Sequence, residues 1–380
     1  MALILNEEQT LLKDSARDFI SEKAPLSSLR KLRDEQNETG FSKDLWREMV
    51  DMGWAGICIP EEFGGLDFGF LGLGVVLEET GRTLAASPLV SSILLGATAI
   101  TLGGNDEQKK ALLPQLADGS LLMTLALDET AHFNPNHIAT SATKTAEGYR
   151  IDGDKVFVLD GHTADTLIVA TRTSGNTADR DGITLFLVDR RSAGVTVTRT
   201  TMVDSRNAAK INFSSVNVTT DAMLGNLDQG AALLGPLLDR AAVGMAAEMM
   251  GASQEVFNRT VDYLKERTQF ETKIGTFQSL QHRAVDMYCN LELSKSILMD
   301  ALSALDEGRE EDFSALASTA KAQLCETLHQ VSSEGVQMHG GVGMTDEYDI
   351  GFFLKRARVA EKTFGDANYH YDRLATLNGF

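Results

Sequence analysis

Cysteine is scarce in this sequence of 380 residues: Cys58, Cys289 and Cys325 stand far apart, in no CxxC pair and no metal-ligand spacing. That excludes a disulfide framework and a cysteine zinc site. No metal is expected, and a reducing, cytoplasmic setting fits the chain best. Positive charge is short as well. Against 54 Asp and Glu there are 35 Lys and Arg, leaving a formal charge of −19. Surfaces that track phosphates need clustered cations, so neither nucleic acid nor an anionic membrane is an expected partner. Long hydrophobic runs are missing: the most apolar stretch, residues 89–102, is broken by Ser and Thr and is too short to span a bilayer. The start, MALILNEEQT, lacks the charged and apolar regions of a signal peptide. Whole signatures are absent too. There is no strand–GxGxxG–helix unit, no GxxxxGK loop, no GxSxG and no HExxH. A Rossmann site, a phosphate loop, a hydrolase elbow and a zincin are therefore unsupported.

What is present is a globular composition, 43% apolar and 23% charged, on a chain long enough for two or three domains. Three zones differ in texture. In residues 1–120 the apolar period is helical, with Asn6 and Gln9 as a capping-box start and Leu12, Ala16, Phe19 and Ile20 on one face. In residues 121–226 the period becomes two. Segments 149–158, 166–171, 183–188, 195–199 and 210–218 are rich in Val, Ile, Thr and Phe, and Asp152-Gly153, Asp160-Gly161 and Asp181-Gly182 read as turns between strands. In residues 227–380 only Pro236 remains of the prolines, and helices are predicted at 231–268 continuing through 305, at 313–338, at 349–363 and at 367–377. The expected fold is α+β and multidomain: a helical N-terminal domain, a central antiparallel β-barrel or sheet, and a C-terminal helix bundle.

Two constellations stand out. Arg267, Phe270, Ile274, Gln278 and Gln281 are spaced by 3, 4, 4 and 3, which on a helix forms one stripe. A guanidinium, an aromatic ring and two amides suit a long polar ligand with a phosphate; a polar seam between helices or subunits is the plain alternative. The run Gln337-Met338-His339-Gly340-Gly341 closes a long helix. Paired glycines suit a left-handed C-cap, or a backbone that approaches a pyrophosphate closely. His339 alone reads as a packed histidine.

The sequence resembles the acyl-CoA dehydrogenase family of flavoproteins from about residue 5 to residue 377. The resemblance rests on Gly53-Trp54-Ala55-Gly56 with Ile59-Pro60-Glu61-Glu62-Phe63-Gly64-Gly65. It rests further on Arg267-Thr268-Gln269-Phe270 with Phe277-Gln278 and Gln281, and on Gln337 to Gly341 with Glu347-Tyr348. The segment from Gly153 to Gly161 adds to it. The resemblance implies FAD between β-domain and bundle, its ADP part held by a neighbouring subunit through residues matching Arg267, Phe270, Gln278, Gln337, Gly340 and Gly341. It extends the cofactor set to Gln269, Ile274, Phe277, Gln281 and Met338, to Leu127, Asp128, Phe157, Val158 and Leu159, and to Asp366 and Asn368. It makes Asp239 a substrate contact. The implied reaction is α,β-desaturation of an acyl-CoA thioester, a carboxylate taking the α-proton while the β-hydrogen leaves as hydride to the flavin, with electrons passing to an electron-transfer flavoprotein. A homo-oligomer, or a mixed oligomer with a related subunit, is implied as well.

The departures from the family are equally specific. Its catalytic glutamate stands in a Glu-Gly pair that here is Phe364-Gly365, and the other known position for the base is Ala241, beside Ala242. The flavin loop Thr-Glu-Pro-Gly-Ser-Gly-Ser reads Asp128-Glu129-Thr130-Ala131-His132-Phe133-Asn134, Trp-x-Thr reads Phe157-Val158-Leu159, and the glycine after Gln269-Phe270 is Glu271. Glu361, about one helical turn before the vacant base position, is the nearby carboxylate to weigh. Two readings follow: a dehydrogenase with a relocated or weak base, or a catalytically silent subunit that completes a partner's FAD site. The ending from Thr363 to His370 looks like subunits of mixed pairs that act on steroid-type side chains.

Overall fold

A computed structural model describes residues 4–380. Its architecture is a helical N-terminal domain, a central β-sheet domain and a C-terminal helix bundle. The helices before the sheet are α1 (Glu7–Lys23), α2 (Leu26–Asp34), α3 (Lys43–Asp51), α4 (Phe70–Arg82), α5 (Thr98–Gly103) and α6 (Asp106–Ala117), with a π-helix at Leu89–Ala97. The strands are β1 (Met123–Ala126), β2 (Ser141–Lys144), β3 (Gly148–Leu159), β4 (Thr166–Arg172), β5 (Ile183–Asp189), β6 (Val195–Thr201), β7 (Asn207–Thr219) and β8 (Met223–Leu224). Then come α7 (Gly230–Glu266), a hairpin of β9 (Thr268–Gln269) and β10 (Thr272–Lys273), α8 (Gln278–Asp306), α9 (Glu310–His339), α10 (Ile350–Lys362) and α11 (Ala367–Leu377).

Two compact units emerge, one from the stretch up to Lys31 with Phe70–Ala85 and Ala242–Phe380, the other from Leu32–Gly69 with Ala86–Ala241. In the first, α1 starts with the expected capping box, Asn6 Oδ1 accepting from Gln9 N at 2.8 Å while Gln9 Oε1 accepts from Asn6 N at 3.0 Å. Helix α4 is buried almost throughout and meets α7 at glycines. A Cβ at Gly251 would stand 1.8 Å from Glu78 O, and one at Gly81 would stand 2.1 Å from Glu248 O, so only glycine lets these backbones approach. Glu79, buried on α4, is held by Arg17 at 3.1 Å.

The second unit holds the sheet, in order β6-β7-β3-β2-β4-β5-β8, with β1 pairing β4. It is antiparallel for the most part, but β1 and β2 each run parallel to β4, so the sheet is mixed. Its core packs Tyr149, Ile151, Leu167, Val169, Phe186, Ile211 and Phe213. Asp152-Gly153, predicted as a turn, lies inside β3. The chain does not reverse there, because β3 and β7 keep pairing on both sides of a bulge between Ile151 and Gly153. Gly153 has φ 148°, and a Cβ on it would stand 2.6 Å from Thr140 Cα. No helix among the described residues is long and apolar enough to cross a membrane.

Candidate functional site

The predicted stripe from Arg267 to Gln281 is not helical. Helix α7 ends at Glu266, and residues 268–273 form a two-residue hairpin in which Thr268 pairs with Lys273 and Gln269 with Thr272. Phe270 and Glu271 sit at φ 51° and 64°, the pattern of a type I′ turn. The 3-4-4-3 spacing coincides with a helical period, but β-branched Thr268 and Thr272 and the turn at 270–271 favour the ribbon. Arg267, Phe270 and Ile274 therefore belong to the hairpin and the 3₁₀ turn after it; only Gln278 and Gln281 lie on α8.

The segment still folds back on itself. Phe270 meets Phe277 edge-to-face at 6.2 Å, Ile274 N donates to Arg267 O at 2.9 Å, and Gln281 Nε2 donates to Gly275 O at 2.9 Å. Arg267, Gln269, Gln278 and Gln281 are exposed, and Phe270 is 85% exposed. Such an apolar ring at a hairpin tip is open to a ligand or to another chain.

At the far end of α9, Gln337, Gly340 and Gly341 are exposed whereas the Met338 side chain is buried. Gly340 caps the helix at φ 62°, and neither glycine has a heavy atom within 4 Å of where a Cβ would stand. This is an open backbone cradle. His339 beneath it is buried, with Nδ1 2.6 Å from Gly335 O and its ring stacked 4.3 Å from Tyr263. Burial lowers its pKa, so it is the packed histidine expected from the sequence.

On the β-domain side, Leu127 and Val158 are buried, Asp128 and Leu159 half-buried, and Phe157 is 50% exposed at φ 52° in a bulge of β3. A bulge re-aims side chains, and here it turns Phe157 outward while Lys155 stays fully buried. Lys155 Nζ donates to Leu127 O at 3.0 Å and to Glu129 Oε1 at 2.7 Å. Glu129 also accepts from Ala139 N at 2.6 Å and Thr140 N at 2.9 Å. Burial alone would raise the Glu129 pKa, but the Lys155 charge and these donors hold it below the usual range. Lys155 is pushed down to about 8 by burial. Asp128 is pushed up to about 6 by burial against the pull of Lys155, and its Oδ1 has no hydrogen-bond partner among the described residues. A small cavity of about 210 Å³, lined by Glu129, Thr130, Val156, Phe157, Thr200 and Lys210, opens beside them.

The Glu129–Lys155 pair was not singled out from sequence. Its signal was a lysine amid the apolar residues of β3, which must either face out or find an anion. Arg172 was also missed. Its guanidinium donates to the carbonyls of Asn136, Ile138, Thr177, Asp179 and Asp181 at 2.6–3.3 Å, tying the loop after Asp128 to the turn between β4 and β5.

The positions where the resemblance looks for a base carry no ionisable group. Ala241 and Ala242 are buried on α7, as is Asp239. Phe364, half-buried at φ 60°, and Gly365, at φ 97°, form the turn between α10 and α11. Glu361 is paired with two cations, Arg358 at 3.6 Å and Lys362 at 3.9 Å, and the ring of His329 lies 3.6 Å away. Asp366 N-caps α11 through Tyr369 N at 3.0 Å and accepts from Lys362 at 2.7 Å, which lowers its pKa; Asn368 is exposed on the same helix. Behind the turn, Lys321 Nζ donates to Gly365 O at 2.8 Å and His370 Nε2 to Phe364 O at 2.9 Å.

Comparison with known proteins covers nearly the whole chain. The acyl-CoA dehydrogenase N-terminal, middle and C-terminal domain families match residues 6–120, 125–216 and 228–376. Acyl-CoA dehydrogenase FadE12 of Mycobacterium tuberculosis is 30% identical over 363 residues, covering 94% of this chain and 92% of its own. Among solved structures, a variant of the Tcur3481-Tcur3483 steroid ACAD is 31% identical with a TM-score of 0.88, covering 98% of both chains. The ChsE4-ChsE5 complex from Mycobacterium tuberculosis is 26% identical with a TM-score of 0.89, covering 100% of both.

Proposed function

The chain belongs to the acyl-CoA dehydrogenase family, whose members are FAD-binding flavoproteins, and from that premise we propose that it is the base-less subunit of a mixed acyl-CoA dehydrogenase assembly. The assembly desaturates an acyl-CoA thioester and passes electrons to an electron-transfer flavoprotein. This chain lends the ADP-binding half of an FAD site and supplies no proton acceptor of its own. The observation that carries the reading is the pairing of an open, exposed cradle with a base position that cannot ionise. Gly340 and Gly341 face open space and Arg267 is exposed, whereas residue 364 is phenylalanine and residue 241 is a buried alanine. Glu361 is a poor substitute, because its carboxylate is already engaged by Arg358 and Lys362.

The residues fit the cofactor on the bundle side. Arg267 offers a charged donor to a phosphate, Gln278, Gln281 and Gln337 offer amides, and Gly340-Gly341 offers a backbone with no side chain in the way, although the Gly340 N–H itself donates to Gln337 O. Gln269, Phe270, Ile274, Phe277 and the Met338 backbone complete that wall. On the β-domain side Leu127, Phe157, Val158 and Leu159 are the proposed contacts of the flavin ring, and Asp128 brings an acceptor where the family has a hydroxyl; Asp366 and Asn368 of α11 are proposed as cofactor contacts as well. FAD bound there supplies the hydride acceptor. Asp239 is the proposed substrate contact. Two structural relatives, the Tcur3481-Tcur3483 steroid ACAD and the ChsE4-ChsE5 complex, are named as pairs of chains, which supports a mixed oligomer and a bulky acyl group.

A second reading, activity in this chain alone with a relocated base, has Asp128 in its favour, a half-buried carboxyl near pKa 6 with one oxygen unpaired among the described residues. Expression alone and with a related full-length subunit separates the two. A protein that bleaches its own flavin with acyl-CoA, and loses this in Asp128→Asn, would overturn the base-less reading; activity only in the mixed preparation supports it.

A further inference from the structure

The turn at Phe364-Gly365 is more tightly held than a helix connection needs. Both residues lie in the left-handed region, at φ 60° and 97°. For a phenylalanine that backbone is strained and persists only where surrounding groups over-determine it. Gly365 cannot be replaced, because a Cβ there would stand 2.4 Å from the Tyr369 ring and 3.0 Å from His370 Nε2.

Two buried residues do the holding. Lys321, fully buried on α9, directs its ammonium at Gly365 O at 2.8 Å, Ala360 O at 3.1 Å, Glu361 O at 3.3 Å and Cys325 Sγ at 3.2 Å. Glu361 accepts only through its backbone, its carboxylate acting on Lys321 through charge alone, so the hydrogen bonds come from the C-terminal carbonyls of α10 rather than from a carboxylate. Burial lowers the Lys321 pKa, while the thiol of Cys325 and nearby acidic groups oppose the shift. His370, also buried, has Nε2 2.9 Å from Phe364 O and no hydrogen-bond partner for Nδ1 among the described residues. Burial, with the nearby Lys321 charge, pushes its pKa down to about 3, so the ring is neutral and Nε2 carries the proton. Asp366, capping α11, fixes the chain on the other side.

We propose that Lys321 and His370 are positioning residues that clamp the Phe364-Gly365 turn in its left-handed form, so that residue 364 is presented to the acyl thioester as an apolar wall. The inference rests on the acyl-CoA reading above for its ligand, but the clamp itself does not. A buried lysine spent on backbone carbonyls, and a buried histidine kept neutral to donate to one more, hold a single strained turn from two helices. That turn is where the family carries its base. In this chain the presentation survives while the carboxylate is gone, so the clamp serves shape: an aromatic face that packs the acyl group and keeps water from it.

The test uses the FAD-loaded protein. Lys321→Met keeps the stem and removes the donors, His370→Leu removes the donor, and His370→Gln keeps one. Hydrogen exchange of amides 363–367 reads the clamp without ligand, and calorimetry with octanoyl-CoA reads presentation. Expected for Lys321→Met and His370→Leu is exchange at least about tenfold faster in that segment, with octanoyl-CoA binding weakened at least about tenfold, FAD content retained, and both effects largely restored in His370→Gln. Unchanged exchange overturns the clamp. Faster exchange with unchanged affinity overturns presentation to the ligand. Should the unmodified protein bind neither octanoyl-CoA nor a bulky steroid-side-chain acyl-CoA, the acyl-CoA reading falls and presentation falls with it, while the exchange measurement still decides the clamp.

Discussion

Asp128 replaces a family hydroxyl with a carboxyl that the fold keeps half-buried, and its protonation couples to stability. Its folded pKa, about 6, stands above its ordinary value of 3.8. Between these values the native state holds a proton that the unfolded chain has released, so stability falls as pH rises through the window and stays reduced above it. At about 1.4 kcal/mol per pKa unit, the cost near neutrality is about 3 kcal/mol. Asp128→Asn should therefore unfold at a higher temperature than the unmodified chain near neutral pH, with the difference closing as the pH approaches ~4. A difference that does not vary with pH would show that Asp128 is not protonated in the fold. Glu271, exposed at φ 64° where the family has glycine, is a second local cost. Glu271→Gly should stabilise by about 1 kcal/mol in thermal unfolding by relieving the left-handed backbone; a loss of stability would mean that its side chain makes a contact that matters more than the strain.

Helices and strands were legible where one period dominated. Residues 367–377 read as a helix and are α11, and the Asn6 capping box starts α1 as expected. Legibility failed where two periods coincided. From Arg267 to Gln281 the spacing fits a helix, but Phe270 and Glu271 turn left-handed and a β-ribbon forms, a tertiary choice that side-chain spacing does not record. Asp152-Gly153 failed for the converse reason: a turn dipeptide was absorbed as a bulge because β7 pairs β3 on both sides. The buried contacts behind the site were invisible, since Lys155 meets Glu129, and Lys321 meets Gly365, across long sequence separations. Arg172 is of this kind and makes a prediction about loops. Arg172→Lys forfeits most of its bonds to five carbonyls and should cost about 3 kcal/mol in denaturant unfolding, with faster amide exchange in 134–138 and 176–181. Unchanged exchange in those loops would mean that the guanidinium does not hold them.

Across the molecule, the exposed surface of α8 and its hairpin points to another chain. Phe270, Val285, Tyr288 and Leu293 are each more than half exposed, a cost that a subunit interface removes. Sedimentation should give a dimer or larger species, alone or with a related subunit, and a clean monomer in both preparations would contradict the shared-site reading. Arg267→Ala should weaken FAD retention by roughly 1.5–3 kcal/mol through the lost charged hydrogen bond; flavin content that does not change would remove the hairpin from the cofactor site. The central claim is that this chain has the frame of an acyl-CoA dehydrogenase with its base position closed by Phe364. The measurement that reaches it most directly is anaerobic bleaching of the flavin band by acyl-CoA, in the FAD-loaded chain and in its Phe364→Glu variant side by side. The account predicts at most slow residual bleaching in the unmodified chain and a gain of about 10²-fold or more over that rate once a carboxylate stands at residue 364. Rapid bleaching without the substitution, or none with it while FAD and acyl-CoA remain bound, would contradict it.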